Sequence, residues 1–148
     1  MTGSYSPPAA PGGFVLDVSV PAAWLFTTRT TAYTSGVLSR IRRLGACVPG
    51  CWTLDLVAEL RTGERQGLKA AAEVDQFLNR LVHLPIFVED DTPARAWPDI
   101  LDLSRRLRVS VDRAPYLELA LRLNLPLATA DAALTRAANS AGAPTFTP

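Results

Sequence analysis

An α/β fold with a short, mostly parallel central sheet is predicted by two features of the sequence. Brief apolar runs recur along the chain: Phe14-Val15-Leu16, Ala46-Cys47-Val48, Ile86-Phe87-Val88 and Pro126-Leu127-Ala128-Thr129. Segments with helical composition or periodicity separate them. Strands buried on both faces read as continuous apolar runs, and parallel neighbours need crossover connections that helices supply. The expectation is therefore three layers, α/β/α.

The elements follow in order. Residues 1–12 are rich in Pro, Gly, Ser and Ala and read as a loose N-terminal tail, which leaves 13–148 as one domain. The first strand ends at Asp17. Ser19 to Phe26 reads as a short helix and Ala32 to Leu44 as a second, and Pro49-Gly50 closes the second strand. Trp52 to Arg65 is helical by composition, with Leu54, Val57 and Ala58 on one face. Between Leu68 and Val82, the residues Val74, Phe77, Leu78 and Leu81 fall at the i, i+3, i+4, i+7 spacing of an amphipathic helix. The third strand runs into the acidic turn Glu89-Asp90-Asp91. Ile100, Leu103 and Leu107 mark a further helix, and Asp112 precedes another that carries Tyr116, Ala120 and Leu123. The fourth strand stops just before Asp131, a last helix covers Ala132 to Ala141, and Pro144-Thr145-Phe146 reads as a short edge strand.

The chain has 148 residues, enough for one domain to bury a core unaided, and its 48% apolar and 20% charged residues fit a globular protein. No apolar run approaches the roughly 20 residues that span a bilayer. The start, MTGSYSPPAAPGGF, lacks the basic and hydrophobic regions of a secretory signal, so a cytoplasmic location is expected. With a net charge of +1, no global field favours a polyanion. Arginines do cluster, at Arg40, Arg42 and Arg43, at Arg61 and Arg65, and at Arg105, Arg106 and Arg108. Each cluster by itself reads as a solvated helix face.

Several chemistries are disfavoured. Cys47 and Cys51 are the only cysteines and His83 the only histidine, too few for a four-ligand zinc site. The cysteines read as free thiols packed near a strand end. One histidine also makes a Ser-His-Asp or Cys-His machine improbable, and His83 reads as structural or solvent-facing. No Gly-rich phosphate loop is present.

The aspartates are more informative. In an open parallel sheet, ligands bind beyond the carboxyl ends of the strands. Asp17 and Asp131 stand at such ends, Asp112 opens a helix, and Asp55 lies in the first turn of one. Right-handed crossovers bring strand ends and helix starts to the same edge. The four carboxylates can therefore converge on a cation. The plainer alternative is that Asp17, Asp112 and Asp131 are N-caps and that Asp55 complements a helix dipole. Spacing leaves the two readings level.

Local wording favours the first. Val15-Leu16-Asp17-Val18-Ser19-Val20 with Ala23-Trp24-Leu25-Phe26 resembles the opening of PIN-domain proteins, specifically the VapC-like toxins of bacterial toxin–antitoxin pairs. Ser110-Val111-Asp112-Arg113-Ala114-Pro115-Tyr116-Leu117-Glu118-Leu119-Ala120 looks like the family's third acidic motif, and Leu125-Pro126-Leu127-Ala128-Thr129-Ala130-Asp131 like its fourth. Order and separations agree from Phe14 to about Phe146.

This resemblance implies a PIN-like α/β/α domain and an endoribonuclease dependent on Mg²⁺ or Mn²⁺. It casts Asp17 and Asp112 as metal-holding residues, Asp131 as a supporting acid, and Ser19 as a hydroxyl that orders the site. At the second acidic position the family has Glu in a Leu-Glu-Val-Ala-Asn stretch, whereas this chain reads Leu54-Asp55-Leu56-Val57-Ala58, with Ala58 at the Asn. Asp55 is the expected acid there, and Glu59, one turn on, is a partial substitute. The implied partners are an RNA substrate, a cognate VapB-like antitoxin and a second copy in a homodimer. The alternative function, suggested by the Asp55 and Ala58 departures, is a PIN-like binding or regulatory module with weakened catalysis. A DNA or flap nuclease is disfavoured by the compact size.

Overall fold

A computed structural model describes residues 12–148; of the expected tail, residues 1–11 lie outside the described residues. Four strands form one sheet in the order β3-β2-β1-β4, where β1 is Phe14–Leu16, β2 Ala46–Val48, β3 Ile86–Val88 and β4 Leu127–Ala128. Every pairing between these strands is parallel, with Phe14 opposite Ala46, Val15 opposite Leu127, and Cys47 opposite Phe87. The expected edge strand at Pro144-Thr145-Phe146 is reduced to one parallel bridge, Thr145 to Leu127. Phe146 nevertheless anchors the C-terminus by stacking on Phe14 with ring centroids 4.2 Å apart.

The helices are α1 Ser19–Leu25, α2 Ala32–Leu44, α3 Trp52–Arg65, α4 Ala71–Leu81, α5 Thr92–Arg95, α6 Leu101–Leu107, α7 Ala114–Leu123 and α8 Ala132–Ala141. Together with the sheet they form the α/β/α sandwich that the sequence predicts. Thr31 caps α2 by accepting from the Thr34 N–H at 3.1 Å, and Gly45 ends it at φ 70°. The fourth helix begins later than the expected Leu68. Gly67 is in the left-handed region at φ 76°, and the Ala70 N–H is taken by the Glu73 carboxylate, so the chain turns before winding. Between α5 and α6 a π-helical turn, Ala96–Ile100, surrounds Pro98. Proline has no N–H to give the preceding turn, and the wider turn carries the helix past it.

The core lies on the central strands: all residues of β1, β2 and β4 are buried. Helix α7 is buried from Ala114 through Ala120, which includes Glu118 at 5% exposure. That carboxylate is acceptable inside because Arg122 donates to it and also to both oxygens of Glu89 beside β3. Two sequence expectations are corrected. In α3 the apolar set Leu54, Val57 and Ala58 is exposed, and the core-facing residues are Trp52, Leu56, Leu60 and Gly63. Strand β3 is a sheet edge with Phe87 and Val88 half-exposed, so the sheet is not covered there. The arginines of the three clusters are exposed, as solvated faces, and so is His83. Among the described residues, no helix is long and apolar enough to cross a membrane.

Candidate active site

The carboxyl edge of the sheet opens into a cleft of about 280 Å³ lined by Asp17, Ser19, Asp55, Glu59, Asp112, Arg113, Tyr116 and Asp131, among others. All five residues expected from the sequence are on its wall. They reach it by different routes, and their surroundings differ.

Asp17 is one residue past β1 and only 3% exposed. Its N–H continues the parallel ladder to the Ala128 carbonyl at 3.0 Å, which fixes the backbone at the junction of β1 and β4. Its Oδ2 accepts from Ser19 Oγ at 2.5 Å and from Thr129 Oγ1 at 2.7 Å. Each hydroxyl in turn accepts a backbone N–H from the next loop: Ser19 from Ala130 at 2.9 Å and Thr129 from Asp131 at 3.0 Å. Two hydroxyls thus tie the β4–α8 loop to one carboxylate oxygen. Burial pushes the Asp17 carboxyl above its ordinary value, and the hydroxyl hydrogen bonds offset part of that rise.

Asp131 is the N-cap of α8; its Oδ1 accepts from the Leu134 N–H at 2.8 Å. Its Oδ2 accepts from Arg113 Nε at 2.7 Å. Asp55, in the first turn of α3, accepts from the Tyr116 hydroxyl at 2.8 Å. Burial and the neighbouring Asp55 push the Tyr116 phenol upward, so it stays a protonated donor. Asp112 is exposed in the turn before α7. Glu59 is engaged outside this set by Arg29, whose Nη1 donates to it at 2.6 Å.

The capping alternative can be judged helix by helix. Asp131 does cap α8, whereas α1 has Val18 at its N-cap and α7 has Arg113, neither with a side-chain cap. Asp17 and Asp112 are therefore not caps. Three contributors escaped the sequence reading. In the sequence Thr129 reads as a strand end, Tyr116 as a helix residue and Arg113 as part of a motif without a role. A signal existed for Tyr116, which lies four residues after Asp112 and so projects to the same side of the turn and helix.

The cleft's donors suit a hard cation: carboxylate oxygens with no imidazole among them, as Mg²⁺ and Mn²⁺ prefer. Five carboxylates face a single guanidinium on its wall, so the chemistry fits. The nearby Cys51 thiol adds no soft ligand, since burial and Asp55 push it up to about 12. Both cysteines are free, as the sequence suggested. No three carboxylates of the cleft close to within 4.8 Å; among the described residues the trio that does is Glu89, Asp90 and Asp91. Glu89 already has the Arg122 guanidinium on both its oxygens, and those contacts hold its carboxyl below the ordinary value even though burial acts in the opposite sense.

No protein-family model matches the chain. It is similar, however, to Ribonuclease VapC3 of Mycobacterium tuberculosis in two strains, CDC 1551/Oshkosh and ATCC 25618/H37Rv. Each is 31% identical over 140 residues, covering 93% of this chain and 96% of the relative. End-to-end identity of that extent, joined to a parallel α/β/α sandwich with aspartates at its carboxyl edge, shows that the chain belongs to the VapC-like family of PIN-domain ribonucleases.

Proposed function

We propose that the protein is an endoribonuclease dependent on Mg²⁺ or Mn²⁺ and that it acts as the toxin of a toxin–antitoxin pair. The observation that carries this reading is the lining of one cleft by Asp17, Asp55, Asp112 and Asp131, drawn from four separate elements. Repelling carboxylates are costly to gather unless a cation is to be held. Asp17 and Asp112 are the proposed holders, with Asp55 and Asp131 in support. When bound, the ion supplies an acidified water and offsets charge on the phosphate oxygens.

The chain's own residues do the positioning. Ser19 and Thr129 fix the Asp17 carboxylate, and Tyr116 fixes Asp55, so that neither is free to rotate away from the cleft. Hydrolysis through a positioned water would leave a 3′-hydroxyl and a 5′-phosphate. The partners proposed are RNA, a VapB-like antitoxin that crosses the cleft, and a second copy of the chain. An apolar groove between α3, α4 and β3, which includes Val57, Val82 and Val88, offers a surface for a protein partner.

The test is cleavage of RNA by the purified, antitoxin-free protein in Mg²⁺ or Mn²⁺, with EDTA stopping it. Activity that persisted in chelator would remove the metal mechanism. Asp17→Asn and Asp112→Asn should each abolish cleavage with the fold retained. A second reading, a PIN-like module with weakened catalysis, is favoured by one observation: Arg113 is paired with Asp131 inside the cleft. Under that reading the protein binds RNA but cuts it only slowly, even at saturating metal.

A further inference from the structure

The cleft already holds one cation of its own. Arg113 stands at the N-cap of α7, at the end of the turn that carries Asp112, and its side chain reaches across to α8. Nε donates to Asp131 Oδ2 at 2.7 Å and Nη1 to Ser110 Oγ at 3.2 Å. Each oxygen of Asp131 therefore already has a donor in this arrangement, since the Leu134 N–H is bonded to Oδ1. Asp112 and Asp17 line the same cleft as the guanidinium.

We propose that Arg113 is a tethered counter-cation of the acidic cleft, which a divalent ion must displace from Asp131, so that this residue sets the metal affinity of the site. The inference rests on the metal-dependent reading above. Its physical basis is competition between positive charges for one set of carboxylates. Arginine remains charged at any pH the fold tolerates, so the guanidinium neutralises part of the cleft permanently and repels an incoming dication. The pair is also displaceable. The Arg113 side chain is 42% exposed, and an ion pair so open to water is weak. The swing needs no backbone change, because rotation about side-chain bonds carries the guanidinium toward solvent. With it gone, Asp131 Oδ2 is released while Oδ1 keeps its cap on α8.

Mn²⁺ binding to the purified full chain tests this without reference to activity, by calorimetry or by the paramagnetic signal of free Mn²⁺. Arg113→Ala should bind Mn²⁺ about tenfold more tightly than the unaltered protein, the scale expected for removing one partly screened charge near a dication. Arg113→Gln keeps a hydrogen-bond donor but no charge and should behave like Arg113→Ala. Arg113→Lys should stay near the starting affinity. Circular dichroism on each variant checks the fold, and the glutamine variant covers a loss of folding in the alanine one. Unchanged or weaker binding in both neutral variants, with Asp17→Asn still abolishing it, would overturn the proposal and leave the metal site standing. Absence of Asp17-dependent binding in every form would overturn the metal reading and this proposal with it.

Discussion

Gly63→Ala isolates the packing that brings α3 against α1, and with it Asp55 into the cleft that Asp17 lines. Gly63 is buried in the last third of α3, where a glycine costs about 1 kcal/mol relative to alanine. The structure explains its presence. A Cβ at this position would sit 2.1 Å from Cζ of Phe26 and 2.6 and 2.7 Å from its two Cε atoms. Phe26 is 1% exposed, and Arg29 lies over its ring at 4.9 Å from the centroid while pairing with Glu59 of α3. The ring therefore has little room to retreat, and α3 must move outward. Forcing a methyl group into a packed core costs about 1–3 kcal/mol, and this overlap belongs at the upper end. Subtracting the helical gain of about 1 kcal/mol leaves a net destabilisation of about 2 kcal/mol. For a chain of this length that corresponds to a fall in Tm of about 4–8 °C. Thermal unfolding followed by circular dichroism measures it, with Phe26→Leu and the double variant completing a cycle. In the Phe26→Leu background the alanine should be neutral or stabilising, because the obstructing ring edge is gone. A Tm that rose in Gly63→Ala alone would show that helix propensity outweighs the contact and refute the reasoning.

Asp17→Asn should stabilise the fold at neutral pH while abolishing cleavage. A carboxyl whose folded pKa is raised contributes stability that is complete below its unfolded value, 3.8, and is lost as pH rises through the folded value. Asparagine suffers no such loss, so the Tm advantage of the variant should shrink as the solution is acidified toward that value. A variant less stable than the parent at neutral pH would contradict this. At the second acidic position, Asp55→Asn should weaken metal-dependent cleavage across a Mg²⁺ titration, Asp55→Glu should preserve or raise it, and Glu59→Gln should matter less because Arg29 already holds Glu59. A larger effect from Glu59→Gln would transfer the role to that residue. Cys47→Ser with Cys51→Ser should leave cleavage intact, and Cys51, a thiol up to about pH 12, should resist alkylation by iodoacetamide at neutral pH. Rapid labelling of folded protein at that position would place the thiol in a more electropositive setting than the structure gives it.

The elements were legible in the sequence because their signals are local. An apolar run of three or four residues, a 3.6-residue period and a flanking Thr, Gly or Pro act within a few positions of the backbone they shape. They located α2, β2, α3, β3 and α8 at the boundaries observed, and they put Asp17 at a strand end. What local signals do not carry is the direction in which each helix turns its faces once it packs. Composition alone pointed to Leu54, Val57 and Ala58 in α3, but Phe26 and the sheet select Leu56, Leu60 and Gly63. The site's working contacts are of that second kind. Tyr116 meets Asp55 across 61 residues, Thr129 meets Asp17 across 112, and Arg113 meets Asp131 across 18. The sequence alone determined which carboxylates stand at the carboxyl edge of the sheet. Only the tertiary structure decided that an arginine stands among them, because a side chain's partner depends on the rotation of its helix and on what the opposite element presents.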